Sequence, residues 1–276
     1  VHPVRELTHL LLPVACPCGE PDVRWCARCA ALLAGPFSRV ERGAPRLDRL
    51  DGVPPVPVWA LTPYAGPVRD VVVHWKDRGR ADLDRLLAPA LRRAVRRLGP
   101  ALGPVQSPAP VSAAHGPLAV VPVPSTGAAR RARGREPVAV LARAVTGGLR
   151  DAGVPAHLVP ALTRTGPGRD QVGLGARARG RNLAGSVRMT RRGARALGKR
   201  SVCILVDDVL TTGATLAAVE RALEGCGHDV LGATVLAATP APGARAAERR
   251  AMAEGVKATY GSEPESVTDL CRPVHR

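Results

Sequence analysis

Five consecutive apolar residues, Val202 to Val206, run into two acids, Asp207 and Asp208, and then into a hydroxyl-rich segment ending at Thr215. The length and β-branching of the apolar run predict a strand covered on both faces, as in a parallel sheet. Apolar positions recur at Leu216, Val219 and Leu223, the spacing of a helix over about 215–226, and 229–239 reads as a further strand. Strand, helix and strand in that order predict the right-handed crossover of an open α/β sheet. Leu118 to Val123 is a second candidate buried strand, and Val187 with Met189 begins a short one. Helical spacing also appears at Val68, Val71, Val72 and Trp75, at Leu86, Leu87, Leu91, Val95 and Leu98, and at Val138, Leu141, Ala142, Val145 and Leu149. Lys76 falls at the end of the first of these helices, where the helix dipole favours a cation.

Between these segments the pattern fades. Gly35 to Pro57 is polar and proline-bearing and reads as a linker or an irregular hairpin, with order beginning at Trp59, Leu61 and Tyr64. Residues 162–182 are rich in Gly and Arg and suit a lid over a substrate; 191–200 read as a basic turn. The expected organisation is a Cys-rich module over 1–36 with Leu7, Leu10 and Leu11 at helical spacing, a linker over 37–58, an α/β domain over 59–240, and a partly helical, mostly disordered tail over 241–276.

Composition changes the picture in two respects. The 276 residues suffice for one good-sized core plus a small module, and 45% apolar content is ordinary, but the formal net charge is +17, carried by 37 Arg and only 3 Lys. A preference for Arg codons accounts for Arg over Lys, yet not for the excess over acids, so polyanions are candidate partners. Aromatics are few, which is thin for a surface that stacks unpaired bases. No run is long and apolar enough to insert in a membrane, and a cytoplasmic protein is expected. Of the seven Cys, Cys16, Cys18, Cys26 and Cys29 cluster, which favours a metal over disulfides. Cys26 and Cys29 form a C-x-x-C knuckle; Cys16 and Cys18, at the less usual C-x-C spacing, complete a Cys₄ set for a structural zinc ion.

The candidate chemistry lies at the acids. A Gly-containing loop entering a helix offers backbone N–H groups and a positive dipole end, which favour a phosphate. Two carboxylates beside it suit sugar hydroxyls or Mg²⁺. The stretch Val206-Asp207-Asp208-Val209-Leu210-Thr211-Thr212-Gly213-Ala214-Thr215 resembles the phosphoribosyl pyrophosphate (PRPP) loop of type I phosphoribosyltransferases. The resemblance implies that Asp207 and Asp208 hold the ribose hydroxyls and serve catalysis, and that Thr211, Thr212, Gly213 and Thr215 cradle the 5′-phosphate. In the same fold the loop after a strand such as 118–123 meets the pyrophosphate; Pro124, Ser125 and Thr126 occupy that position, followed by Arg130, Arg131 and Arg133.

Five features in order extend the resemblance to the ComF family: the apolar N-terminus with its Cys cluster; Tyr64, Gly66, Arg69 and Lys76; Val121 to Ser125 with Arg133-Gly134; Leu162, Arg164, Gln171, Leu174, Arg179 and Asn182; and the loop at 206–215. The chain departs from that family at Arg135-Glu136-Pro137, where an aromatic is frequent, and lacks a second Cys pair. The resemblance implies a type I phosphoribosyltransferase-like α/β fold with a small zinc module, and PRPP as ligand with Mg²⁺. Transfer of the phosphoribosyl group to an unidentified acceptor is the expected activity. The alternative is a non-catalytic basic accessory protein that binds single-stranded DNA in uptake by competent bacteria, alone, as a homo-oligomer or with the competence machinery.

Overall fold

The computed structural model describes residues 14–49, 52–102, 116–165 and 186–240. The expected N-terminal helix, the lid beyond Thr165 and the tail at 241–276 lie outside the described residues. The elements in chain order are α1 (Ala27–Ala31), β1 (Ser38–Arg39), β2 (Val58–Pro63), α2 (Gly66–Asp77), α3 (Asp84–Leu102), β3 (Leu118–Pro122), α4 (Gly127–Arg133), α5 (Pro137–Asp151), β4 (Ala156–Leu158), β5 (Leu162–Arg164), β6 (Val187–Met189), α6 (Arg191–Leu197), β7 (Val202–Leu210), α7 (Ala214–Glu224) and β8 (Asp229–Ala238). No described helix is long and apolar enough to cross a membrane.

Six strands form one sheet in the order β1-β2-β8-β7-β3-β4, with every neighbouring pair parallel except β1 against β2; β5 and β6 form a separate antiparallel ribbon. Because side chains alternate across a strand, the central strands β2, β3, β7 and β8 each feed two cores. Leu61, Val120, Ile204, Val206 and Leu236 face the layer of α2, α3 and α5, where Val72, Leu91 and Leu141 meet them. Ala60, Val121, Cys203, Leu205 and Val235 face the layer of α6 and α7, against Leu197, Leu216 and Val219. This is the expected α/β class, a mostly parallel sheet flanked by helices.

Several elements depart in extent from the sequence pattern. Strand β7 does not end at Val206: its pairing with β8 continues through Asp207↔Val235 and Leu210↔Ala238, whereas its pairing with β3 stops at Pro122↔Val206. The acids therefore lie on a strand with one edge still bonded and the other released. Within the stretch expected as a linker or an irregular hairpin, Ser38 and Arg39 pair antiparallel with Ala60 and Trp59, and Ala44 and Leu47 are buried. The basic turn at 191–200 is helix α6, capped by Thr190, whose hydroxyl accepts the Gly193 N–H at 2.9 Å.

From β3 the chain crosses through α4 and α5 to β4 on one side; from β7 it crosses through α7 to β8 on the other. The direction of winding thus reverses between β3 and β7. In open α/β sheets, ligands settle in the crevice outside the carboxyl ends of strands at such a point.

Candidate functional site: a cleft at the carboxyl ends of β3 and β7

A cleft of about 460 Å³ opens at this switch point. Its walls come from three places. The end of β7 and the loop after it supply Asp207, Asp208, Val209, Thr211 and Thr215; the loop after β3 supplies Val123, Pro124, Ser125 and Thr126; helix α2 supplies Val72, Val73, Lys76 and Asp77. Tyr64, Arg133, Val138 and Arg164 complete it.

The acids are held by their own backbone. Asp207 Oδ1 accepts the Asp208 N–H and Asp208 Oδ1 accepts the Val209 N–H, each at 2.8 Å. Asp208 Oδ2 lies 2.6 Å from Lys76 Nζ, with the Asp208 side chain only 4% exposed. Burial opposes the Lys76 charge, but the Asp208 carboxylate overrides it and the Lys76 pKa is raised. Burial, and then the Asp208 charge, push Asp207 the other way for a carboxylate, up to about 8, with Lys76 and Arg164 partly offsetting them. The cleft therefore favours a neutral hydrogen-bonding group or a cation beside Asp207.

Past the acids the chain makes a tight turn. Gly213 has φ 81°, left-handed backbone that a residue with a Cβ resists, and a Cβ there would meet Leu47 Cγ at 2.5 Å. The Arg46 N–H bonds the Thr212 carbonyl at 2.9 Å, so segment 44–47 clasps the outer side of the loop. Helix α7 starts at Ala214, and its first intrahelical bond runs from the Ala217 N–H to the Gly213 carbonyl. The preceding N–H groups are those that helix geometry leaves for an anion or a cap. Leu210 is buried beneath the loop and Thr212 points outward.

Of the candidate pyrophosphate residues, Pro124, Ser125, Thr126 and Arg133 line the cleft. Thr126 also caps α4, its hydroxyl accepting the Ala129 N–H at 3.2 Å. Arg133 Nε lies 3.5 Å from Asp77 Oδ1. Arg130 and Arg131 are exposed and do not line the cleft; Arg130 instead faces Glu136 at 3.7 Å beside a smaller neighbouring pocket.

Lys76 and Arg164, named in the sequence among the residues that carry the family resemblance but given no role at the site, both line the cleft. The helix-end position alone accounts for Lys76 in the sequence, yet it ion-pairs with Asp208. Its signal was compositional: in a chain that uses Lys only 3 times against 37 Arg, a Lys marks a position that wants a compact point charge rather than a planar fork. Arg164, on β5, is tied to the loop after β3 by a bridge to Thr126, and its Nε is buried without a hydrogen-bond partner among the described residues.

The four clustered Cys converge at a separate place. Their sulfur atoms all lie within 4.8 Å of one another, with Cys16–Cys29 at 3.6 Å, Cys16–Cys18 at 3.4 Å and Cys18–Cys26 at 3.6 Å. Thiolates about 2.3 Å from a tetrahedral zinc ion stand roughly 3.8 Å apart, so this donor set fits such an ion, the C-x-C half included. The Cys26 N–H donates to Cys16 Sγ and the Cys29 N–H to Cys26 Sγ. The Glu20 backbone, and then the Cys16 side chain, lower Cys18 to about 6, while burial raises Cys16 and Cys29.

Residues 175–260 match the phosphoribosyl transferase domain, a span that includes the acid pair and the loop after it. No curated protein matches this chain. Similar solved structures include an HPRT carrying an asparagine mutation, from an analysis of an invariant aspartic acid, 19% identical, covering 54% of this chain and 65% of its own, with a TM-score of 0.33. Another is a hypoxanthine phosphoribosyltransferase from Trypanosoma cruzi, a lysine-to-arginine mutant in a ternary substrates complex, 17% identical, covering 54% of this chain and 67% of its own, with a TM-score of 0.33.

Proposed function

We propose that this cleft binds PRPP and that the protein is a phosphoribosyltransferase-like protein of the ComF type. One observation carries the reading: the end of β7 with the loop after it, from Asp207 to Thr215, and the loop from Pro124 to Thr126 face each other across the switch point of the sheet. In this reading Asp207 and Asp208 accept hydrogen bonds from the ribose 2′ and 3′ hydroxyls. The 5′-phosphate rests on the loop from Thr211 to Thr215 at the start of α7, and the pyrophosphate lies against Ser125, Thr126 and Arg133.

Transfer would break the bond from C1 to pyrophosphate as an acceptor nucleophile bonds to C1. Positive charge developing on the ring would be eased by the acids, and the charge of the departing group by Arg133. Mg²⁺ bound with PRPP would supply further neutralisation of the pyrophosphate. Replacing both acids, Asp207→Asn with Asp208→Asn, is expected to abolish PRPP binding in a calorimetric titration. Unchanged affinity in the double variant would overturn the assignment.

The charge of +17 and the exposed row Arg92, Arg93, Arg96 and Arg97 on α3 favour a second reading, a basic accessory protein that grips single-stranded DNA without turnover. Such binding is electrostatic, so the affinity for a single-stranded oligonucleotide falls about 300-fold or more between 50 and 200 mM salt if six or more phosphates are contacted. Affinity insensitive to salt contradicts it.

A further inference from the structure

One segment outside the cleft is anchored at three points along its length, and the middle anchor is the backbone of the loop after β7. At its start, Glu41 is buried, accepts the Val58 N–H at 3.2 Å and pairs with Arg39, which fixes this end to β2. In the middle, the Arg46 N–H bonds the Thr212 carbonyl at 2.9 Å, and Ala44 and Leu47 pack over Gly213, where a Cβ would lie 3.2 Å from Ala44 Cβ. At its end, Arg49 Nη1 donates to Glu220 Oε1 at 3.1 Å and to Glu224 Oε1 at 2.9 Å, both on α7. Residues 41–49 thus form a strap that runs from β2, over the loop, to the flank of α7.

The end anchor is costly to break. Glu220 is only 4% exposed and stands 171 residues from Arg49 in the chain. Burial, and then the Glu224 charge, raise the Glu220 pKa, while Arg49 offsets them. A carboxylate held out of water is destabilising once its cation is taken away, so Arg49 is kept at the side of α7. The middle anchor sets the loop. The Thr212 carbonyl and the Gly213 N–H belong to one planar trans peptide and point in opposite directions. With the carbonyl turned to Arg46, that N–H faces away from the strap, at the start of α7 where the helix favours an anion.

We propose that this strap is a latch on the loop: closing residues 41–49 through Arg49 and binding a phosphate ester at 211–215 are one coupled event, with Arg49 as a positioning residue that acts through the loop. The phosphate half of the proposal rests on the PRPP reading; the coupling of strap to loop does not. Coupling of this kind is reciprocal, so the latch tightens phosphate binding by the factor by which phosphate tightens the latch.

The test is hydrogen exchange of the Arg46 amide in the full chain, with ribose 5-phosphate as the ligand probe. In the ligand-free protein, Arg49→Ala is expected to speed exchange of that amide by about tenfold, and Glu220→Gln with Glu224→Gln to do the same from the other side of the pair. Saturating ribose 5-phosphate should slow it by about tenfold in the wild type, and calorimetry should show ribose 5-phosphate bound about threefold to thirtyfold more weakly by Arg49→Ala. Arg49→Lys keeps a cation with several donors between the two acids and should stay within about threefold of the wild type in both readouts. Ligand-free exchange unchanged in both Arg49→Ala and the acid double variant overturns the latch. So does an affinity unchanged in a folded Arg49→Ala, or a wild-type Arg46 amide that exchanges equally fast with and without bound ribose 5-phosphate. If Arg49→Ala fails to fold, the acid double variant decides both readouts. No binding of ribose 5-phosphate or PRPP to the wild type would sink the PRPP reading, and the phosphate half with it, and leave the ligand-free exchange to judge the strap.

Discussion

At Asp207 the fold works against its own ionisation: burial and the Asp208 charge raise the pKa from 3.8 to about 8. The sign follows from linkage. Between those two values the unfolded chain has released this proton while the folded one still holds it, so stability falls as pH rises through the window. Asp207→Asn removes that penalty and should stabilise the ligand-free protein by about 1–2 kcal/mol at pH 8, with the gain vanishing toward pH 4. Thermal midpoints of the two proteins measured across pH check this, and a gain independent of pH contradicts it. Asp208, by contrast, lies 2.6 Å from Lys76 Nζ. That distinction was invisible in the sequence, where the two acids are adjacent and alike. What separates them is which face of β7 each occupies and what α2 brings to that face.

Among elements, the strand-loop-helix from β7 to α7 was the most legible part of the chain, because an unbroken apolar run and a clean helical stripe leave little choice of structure. The short elements around it were not legible. Helix α4 buries no residue and is held by its Thr126 cap, so it leaves no periodicity. Strands β4 and β5 have three residues each, too few to show an alternation. Nor did the pattern reveal that Ala44 and Leu47 cover the loop, since two apolar residues in a polar stretch carry no period. That cover makes a prediction about the loop. Gly213→Ala forces a Cβ to within 2.5 Å of Leu47 Cγ in left-handed backbone, and should cost about 2–4 kcal/mol while weakening PRPP binding. Denaturant unfolding measures the first effect; a midpoint shared with the wild type would show that segment 44–47 does not clasp the loop. Pairing Gly213→Ala with Leu47→Ala should recover part of the loss.

For the molecule as a whole, the Cys cluster is tied to the cleft through α2. Arg80, just past α2, donates to the Ala15 carbonyl at 2.9 Å and the Arg24 carbonyl at 3.0 Å, and Cys16, Cys29 and Leu33 share a core with Val68, Val72 and Trp75. Stripping a thiolate-bound metal with a chelator should therefore lower the thermal midpoint by roughly 10 °C, and weaken the hold on Lys76 one turn before Arg80. A midpoint unmoved by chelation, with metal loss verified by elemental analysis, would show that the thiols carry no structural ion. Cys spacing alone pointed to this metal site, since its four ligands are local in sequence; the link to the cleft is long-range and depends on Arg80, one basic residue among 40.

The central claim is that the cleft between the ends of β3 and β7 is a PRPP site, and a crystal structure of the full chain with PRPP and Mg²⁺ tests it most directly. The account predicts the ribose hydroxyls on Asp207 and Asp208, the 5′-phosphate on the loop from Thr211 to Thr215, and the pyrophosphate against Ser125 and Arg133, with Lys76 still paired to Asp208. PRPP bound elsewhere, or bound here with its phosphates reversed, would contradict it.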